Sequence, residues 1–176
     1  MILTAWAGVA YRMLSPKWAV APTSGAGAAR EGGRANRPDL HALYMSLDAP
    51  TAMHEYKQSS SLLPPGTVVS YSVRLSRIVD FSDGYRSGDW DPLWADFVCD
   101  WRELWFNQHI EPPSWELADQ ALGAGAQGIL FRSQVAPPGI NLVVYTESLT
   151  ADDHLSAYDP RGDLPRTQDS WAQSSR

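Results

Sequence analysis

The clearest hydrophobic pattern in the chain runs from Thr67 to Asp80, where Val69, Tyr71, Val73 and Leu75 alternate with Ser70, Ser72, Arg74 and Ser76. Alternation of this length predicts a half-buried β-strand, because successive side chains of a strand point to opposite faces. Residues Gly8 to Leu14, GVAYRML, and Leu40 to Leu47 read as further strands. The first puts Tyr11 and Arg12 on opposite faces and leaves open which of them looks into a pocket. Two continuous apolar runs, GILFRS at 128–133 and INLVVY at 140–145, predict neighbouring strands joined by QVAPPG.

Helical signals lie between these strands. Asp48 is a candidate N-cap with Pro50 in the first turn of a helix through Tyr56, which places Glu55 two turns in. Asp91 and Pro92 mark a second start, after which Leu93, Trp94, Phe97, Val98, Trp101, Leu104 and Trp105 recur at spacings of three and four. That spacing predicts a helix over 92–105 with one broad apolar face, and aromatics so placed read as core before they read as a stacking platform. A third helix is predicted from Ser114, capping after Pro112-Pro113, to the Gly-rich LGAGAQG. Residues 15–37 are rich in Ala, Gly and Pro and read as a loop or mobile lid, and SSSLLPPG reads as a turn-rich connector. From Thr146 the chain is polar, with partial disorder expected at SWAQSSR.

The order of elements predicts an α+β fold: a compact single domain with a mixed, mostly antiparallel β core flanked by helices. Residues 1–150 form its body, and 151–176 a polar tail that is part of the same domain or partly disordered.

Composition narrows the partners. The 176 residues are 44% hydrophobic and 19% charged, enough for one proper core. A net charge of −6 with no dense basic run argues against nucleic acid. The single cysteine, Cys99, allows no intrachain disulfide and fits a reducing compartment. The opening MILTAWAGVAYRML has neither a basic segment nor a long apolar one, and no window is apolar enough to span a bilayer, so the expected location is the cytoplasm and no membrane partner is expected.

Several chemistries drop out on spacing. His41, His54, His109 and His154 make no HxxxH or HExxH pattern, so no metal is expected. There is no GxSxG elbow and no phosphate-binding GxxxxGK[ST]. Cys99 has no histidine suitably placed and reads as an inert thiol. The stretch Glu31–Tyr56, EGGRANRPDLHALYMSLDAPTAMHEY, is denser in capable side chains. Arginines can grip a pyrophosphate through paired hydrogen bonds, and a glutamate can stabilise positive charge at an anomeric carbon; together these suit cleavage of an N-glycosidic bond in a dinucleotide.

The succession of YR, GGRAN, ALYMSLDAPTAMHEY, a Gly-rich helix end, GILFRSQ and INLVVY resembles the RES domain family, bacterial toxins named for Arg, Glu and Ser, from about Tyr11 to Tyr145. The resemblance implies a fold similar to that of ADP-ribosylating toxins and the consumption of NAD as substrate, by transfer of ADP-ribose to water, phosphate or a protein. By motif it assigns Arg12 and Arg34 to the phosphates or ribose. Tyr44 would pack against the nicotinamide or its ribose, Glu55 would steady the oxocarbenium-like transition state, and Ser133 would line the pocket. It implies an Xre-type antitoxin covering the site and is compatible with a homodimer within such a complex and with a protein target. Ala35 departs from the family pattern, in which a bulky aromatic commonly follows GGR. The rival expectation is a non-catalytic interaction module that docks through the Trp-rich segment 92–105.

Overall fold

A computed structural model describes residues 1–171. Its core is a six-stranded mixed sheet: β1 (Leu3–Leu14), β2 (Ala42–Ser46), β3 (Thr67–Phe81), β4 (Gly128–Arg132), β5 (Ile140–Tyr145) and β6 (His154–Ala157). Three α-helices accompany it: α1 (Ala26–Glu31), α2 (Ala49–Lys57) and α3 (Pro113–Gly123). Among the six strands of the described residues β3 and β4 pair in parallel and the other pairings are antiparallel, in keeping with the expected mixed, mostly antiparallel core.

The connectivity nearly closes the sheet. β1 pairs with β3 along its whole length, β3 with β4, β4 with β5 and β5 with β2, but β2 returns to β1 through the single pair Ser46 and Tyr11. The ring therefore has one weak seam. Both faces are packed, which is why β4 and β5 read as unbroken apolar runs rather than alternating ones. Leu43, Met45, Val69, Tyr71, Val73, Leu130 and Leu142 fill one side. Ala42, Val79, Phe81, Ile129, Phe131, Val143 and Tyr145 pack on the other against α3 and the 92–98 segment.

Most predicted elements are present, with three corrections. The 15–37 stretch is structured: Pro16–Trp18 is a 3-10 turn and α1 follows. Its alanines favour helix, and it is pinned by Tyr71, whose hydroxyl donates to Pro22 O at 2.7 Å. The predicted helix over 92–105 is broken. Pro92–Val98 is a 3-10 helix, Cys99 is extended, and Glu103–Asn107 forms a π-helical turn. Trp94, Phe97 and Trp101 are buried and Trp105 is half-buried against Trp115, which counts against the segment as a Trp-rich docking face. Ser114 is not the cap of α3; Pro112 holds that position, and the Ser114 hydroxyl faces the Cys99 thiol at 3.7 Å. The polar tail contributes β6, which pairs with β3 from Tyr71 to Arg74. Of SWAQSSR, residues 172–176 lie outside the described part.

No helix among the described residues is long and apolar enough to cross a membrane.

Candidate active site

A cleft of about 490 Å³ opens at the seam where β1 leaves β2. Tyr11, Arg12 and Met13 line it from β1, Tyr44 and Ser46 from β2, and Glu55 from α2. Gly33, Arg34, Trp101 and Arg102 line it as well. Its size is that of an ordinary small-molecule pocket.

Glu55 supplies the carboxylate of the cleft. Helix α2 starts where expected: Asp48 accepts the Thr51 N–H at 2.7 Å and the Thr51 hydroxyl at 2.8 Å, fixing the first turn. Two turns on, Glu55 Oε1 accepts the Ser133 hydroxyl at 2.8 Å and the Asn141 amide at 2.5 Å. Ser133 follows the end of β4 and is buried behind the carboxylate, so it holds Glu55 in place rather than forming the cleft wall. Glu55 Oε2 lies near the exposed Gln58 amide, at 3.2 Å.

Arg34 lines the same cleft, near enough for the Glu55 charge to raise its pKa, on a turn fastened from several sides. Gly33 N–H donates to Asn36 O at 2.9 Å and closes the turn. The Tyr44 hydroxyl accepts the Ala35 N–H at 2.8 Å and donates to Asn36 Oδ1 at 2.7 Å. Tyr145 donates to Ala35 O at 2.9 Å, and Trp115 Nε1 donates to Gly33 O at 2.6 Å. Asn36, fully buried, gives its amide protons to the carbonyls of Ala28, Arg37 and Leu40. A side chain on Gly33 would put its Cβ 2.5 Å from both Tyr44 and Asn36, so only glycine lets the tyrosine approach. Ala35 is wholly buried between these tyrosines.

The Arg34 guanidinium leaves this turn and donates through Nη1 to the carbonyls of Phe97 at 2.9 Å and Cys99 at 2.8 Å. These bonds explain why the Trp-rich segment is not a continuous helix: an arginine from elsewhere takes carbonyls that a helix would have used internally. Burial draws the Arg34 pKa down, the neighbouring Cys99, Tyr44 and Glu55 raise it, and Arg102 lowers it further. Burial pushes the Tyr44 phenol up, so at neutral pH it is an uncharged clasp of the turn that keeps its ring on the cleft wall.

Arg12 lies apart from this pair. Burial lowers its pKa while Tyr71 raises it, and its Nη1 reaches Ser24 O at 3.4 Å. Tyr11 and Arg12 both border the cleft, which answers the question the strand pattern left open. The structure thus brings Arg12, Arg34, Tyr44 and Glu55 to one cleft, with Ser133 behind the acid.

Sequence reasoning missed Asn141, Ser46 and Arg102. Asn141 carried a signal, a polar residue inside an otherwise apolar strand. Arg102, exposed and stacked on Trp101 at 4.5 Å, carried none. Among the described residues no group of three or more His, Cys, Asp or Glu side chains is placed to hold a metal.

The RES domain profile matches residues 9–167, which takes in the GGRAN turn, Glu55, Ser133 and β6. The chain belongs to the RES domain family. Among solved structures, this RES domain protein is similar to a chain in the crystal structure of the M. tuberculosis MbcT-MbcA toxin-antitoxin complex, with 19% identity over 89% of this chain and 84% of that one and a TM-score of 0.58. At that identity the likeness is one of fold, and it agrees with a mixed α/β domain. A search of curated proteins finds no match.

Proposed function

We propose that this RES domain protein is the toxin of a toxin–antitoxin pair and that its cleft breaks the nicotinamide–ribose bond of NAD. The observation that supports this most is an oriented carboxylate, Glu55, lining the same cleft of small-molecule size as Arg34 and Arg102.

The chemistry asks little proton transfer of the protein. When the C1′–N bond breaks, its electron pair goes to the pyridinium nitrogen, and nicotinamide leaves neutral. Positive charge develops at C1′ and the ring oxygen, and an anion fixed beside it lowers the barrier. Glu55 is that anion. Arg34 and Arg12 hold the pyrophosphate or ribose, with Arg102 as a third cation, and the ring of Tyr44 packs against the nicotinamide or its ribose. A nucleophile then bonds to C1′; water, phosphate and a protein side chain remain the three acceptors, and only the product distinguishes them.

An Xre-type antitoxin covering the cleft is the expected partner, and the fold shared with a chain of a toxin–antitoxin complex supports that expectation. Incubation of the purified protein with NAD should release free nicotinamide, and Glu55→Ala should abolish the release. The mass of the ADP-ribose product identifies the acceptor. Absence of release from the wild-type protein, or undiminished release from the variant, refutes the enzyme assignment. Expression without antitoxin should arrest growth, and the same substitution should relieve it.

A further inference from the structure

We infer that Asn141, oriented by Ser46, is a positioning residue that gives the two oxygens of Glu55 different jobs. The inference rests on the role of Glu55 proposed above.

Asn141 and Ser46 are directly paired across β5 and β2, and alternation puts them on the same face of the sheet as Tyr44 and Val143. Asn141 is 6% exposed and Ser46 2%. A primary amide so deeply placed in the strand INLVVY costs stability unless its polar atoms are matched. They are matched in one direction. Nδ2 donates to Glu55 Oε1 at 2.5 Å, and Oδ1 accepts the Ser46 hydroxyl at 2.8 Å. The flipped amide would set Oδ1 against a carboxylate oxygen, which repels it, so the order Ser46 to Asn141 to Glu55 is fixed by charge. Ser133 donates to the same Oε1, and its own oxygen accepts the Ala136 N–H at 2.9 Å.

Two donors, one on β5 and braced by β2, the other just past the end of β4, therefore hold Oε1 toward the sheet. Among the described residues Oε2 meets only the exposed Gln58 amide, which a substrate hydroxyl can displace. Oε2 is the oxygen presented to the ribose, and Oε1 is the anchor that sets its direction. Ser46 acts at one remove, by keeping the amide donor aimed at the acid.

Asn141→Asp tests this because it preserves size and changes only what faces Glu55. With one shared proton the new pair imitates the amide donor; without it two carboxylates confront each other. The variant should work at acidic pH and lose nicotinamide release as pH rises, a descending limb in a range where the wild type is flat. Asn141→Leu should lose about 10- to 100-fold in kcat with a smaller change in KM. Ser46→Ala should lose less and keep the wild-type pH profile.

A readout independent of NAD accompanies these. The shared proton raises the pKa of the pair in the folded state, so stability contributed below the unfolded carboxyl pKa is lost as pH rises. The Tm deficit of Asn141→Asp against wild type should widen from about pH 5 to about pH 8. A deficit that stays constant across that range overturns the inference, as does an Asp variant whose activity is merely scaled down at every pH. If Asn141→Leu fails to fold, the Asp variant and Ser46→Ala still decide. A wild type that releases no nicotinamide, beside a widening Tm deficit, refutes the NAD assignment and leaves the carboxylate contact standing.

Discussion

The acid and the cation of the cleft are held by opposite means. Glu55 is held by side chains, Ser133 and Asn141, which come from a strand end and a strand of the regular sheet. Arg34 is held by main chain, the carbonyls of Phe97 and Cys99, in a segment where the α-helical pattern breaks down. The acid's direction is thus set by a few exchangeable groups, whereas the cation's position is set by the path of the backbone around the GGRAN turn. Single substitutions should retune the acid cleanly, while at the cation they should change binding and stability together.

The largest expected effect lies at the acid. Glu55→Gln keeps the shape and removes the charge, so nicotinamide release should fall by about 10²- to 10³-fold, with thermal stability little changed. A variant that lost most of its Tm as well would erase the distinction between the two. Next is Gly33→Ala, which forces a methyl group to within 2.5 Å of Tyr44 and Asn36. Overpacking there should cost about 1–3 kcal/mol, a fall in Tm of about 2–12 °C for a domain of this size, and KM for NAD should rise with it.

Alkaline pH offers a third contrast. Burial raises the phenols of Tyr44 and Tyr145, both of which clasp the GGRAN turn, and pushes Tyr71 up to about 12. Folded values above the unfolded one mean that their contribution is complete below about pH 10 and is lost as pH rises through the folded values. Melting curves should therefore fall above that point, and Tyr44→Phe should flatten the fall. The smallest effect is expected of Arg102→Ala, an exposed cation stacked on Trp101. It should raise KM about two- to fivefold with kcat and Tm unchanged, and added salt should shrink the difference.

Much of this was legible in the sequence. The alternation from Thr67 to Asp80, the two apolar runs and the Asp48 cap all lie on elements they predict, since each depends on local periodicity and short-range hydrogen bonding. Arg34, Tyr44 and Glu55 stand out in the sequence by motif and share one cleft. What stayed hidden depends on groups far apart in sequence. The break after Val98 comes from an arginine more than sixty residues earlier, which no helical periodicity reports. Asn141 meets Glu55 only because β5 lies beside β2, and α1 was obscured by glycines that read as loop although its alanines favour helix.

The central claim is that the acid turns substrate over while the cation holds it. Calorimetric titration of NAD onto Glu55→Gln and Arg34→Ala, with free nicotinamide measured in the same samples and in wild type, tests it directly. The prediction is release by wild type, near wild-type affinity without release for Glu55→Gln, and weakened binding for Arg34→Ala. Release from Glu55→Gln at the wild-type rate, or full affinity in Arg34→Ala, would contradict it.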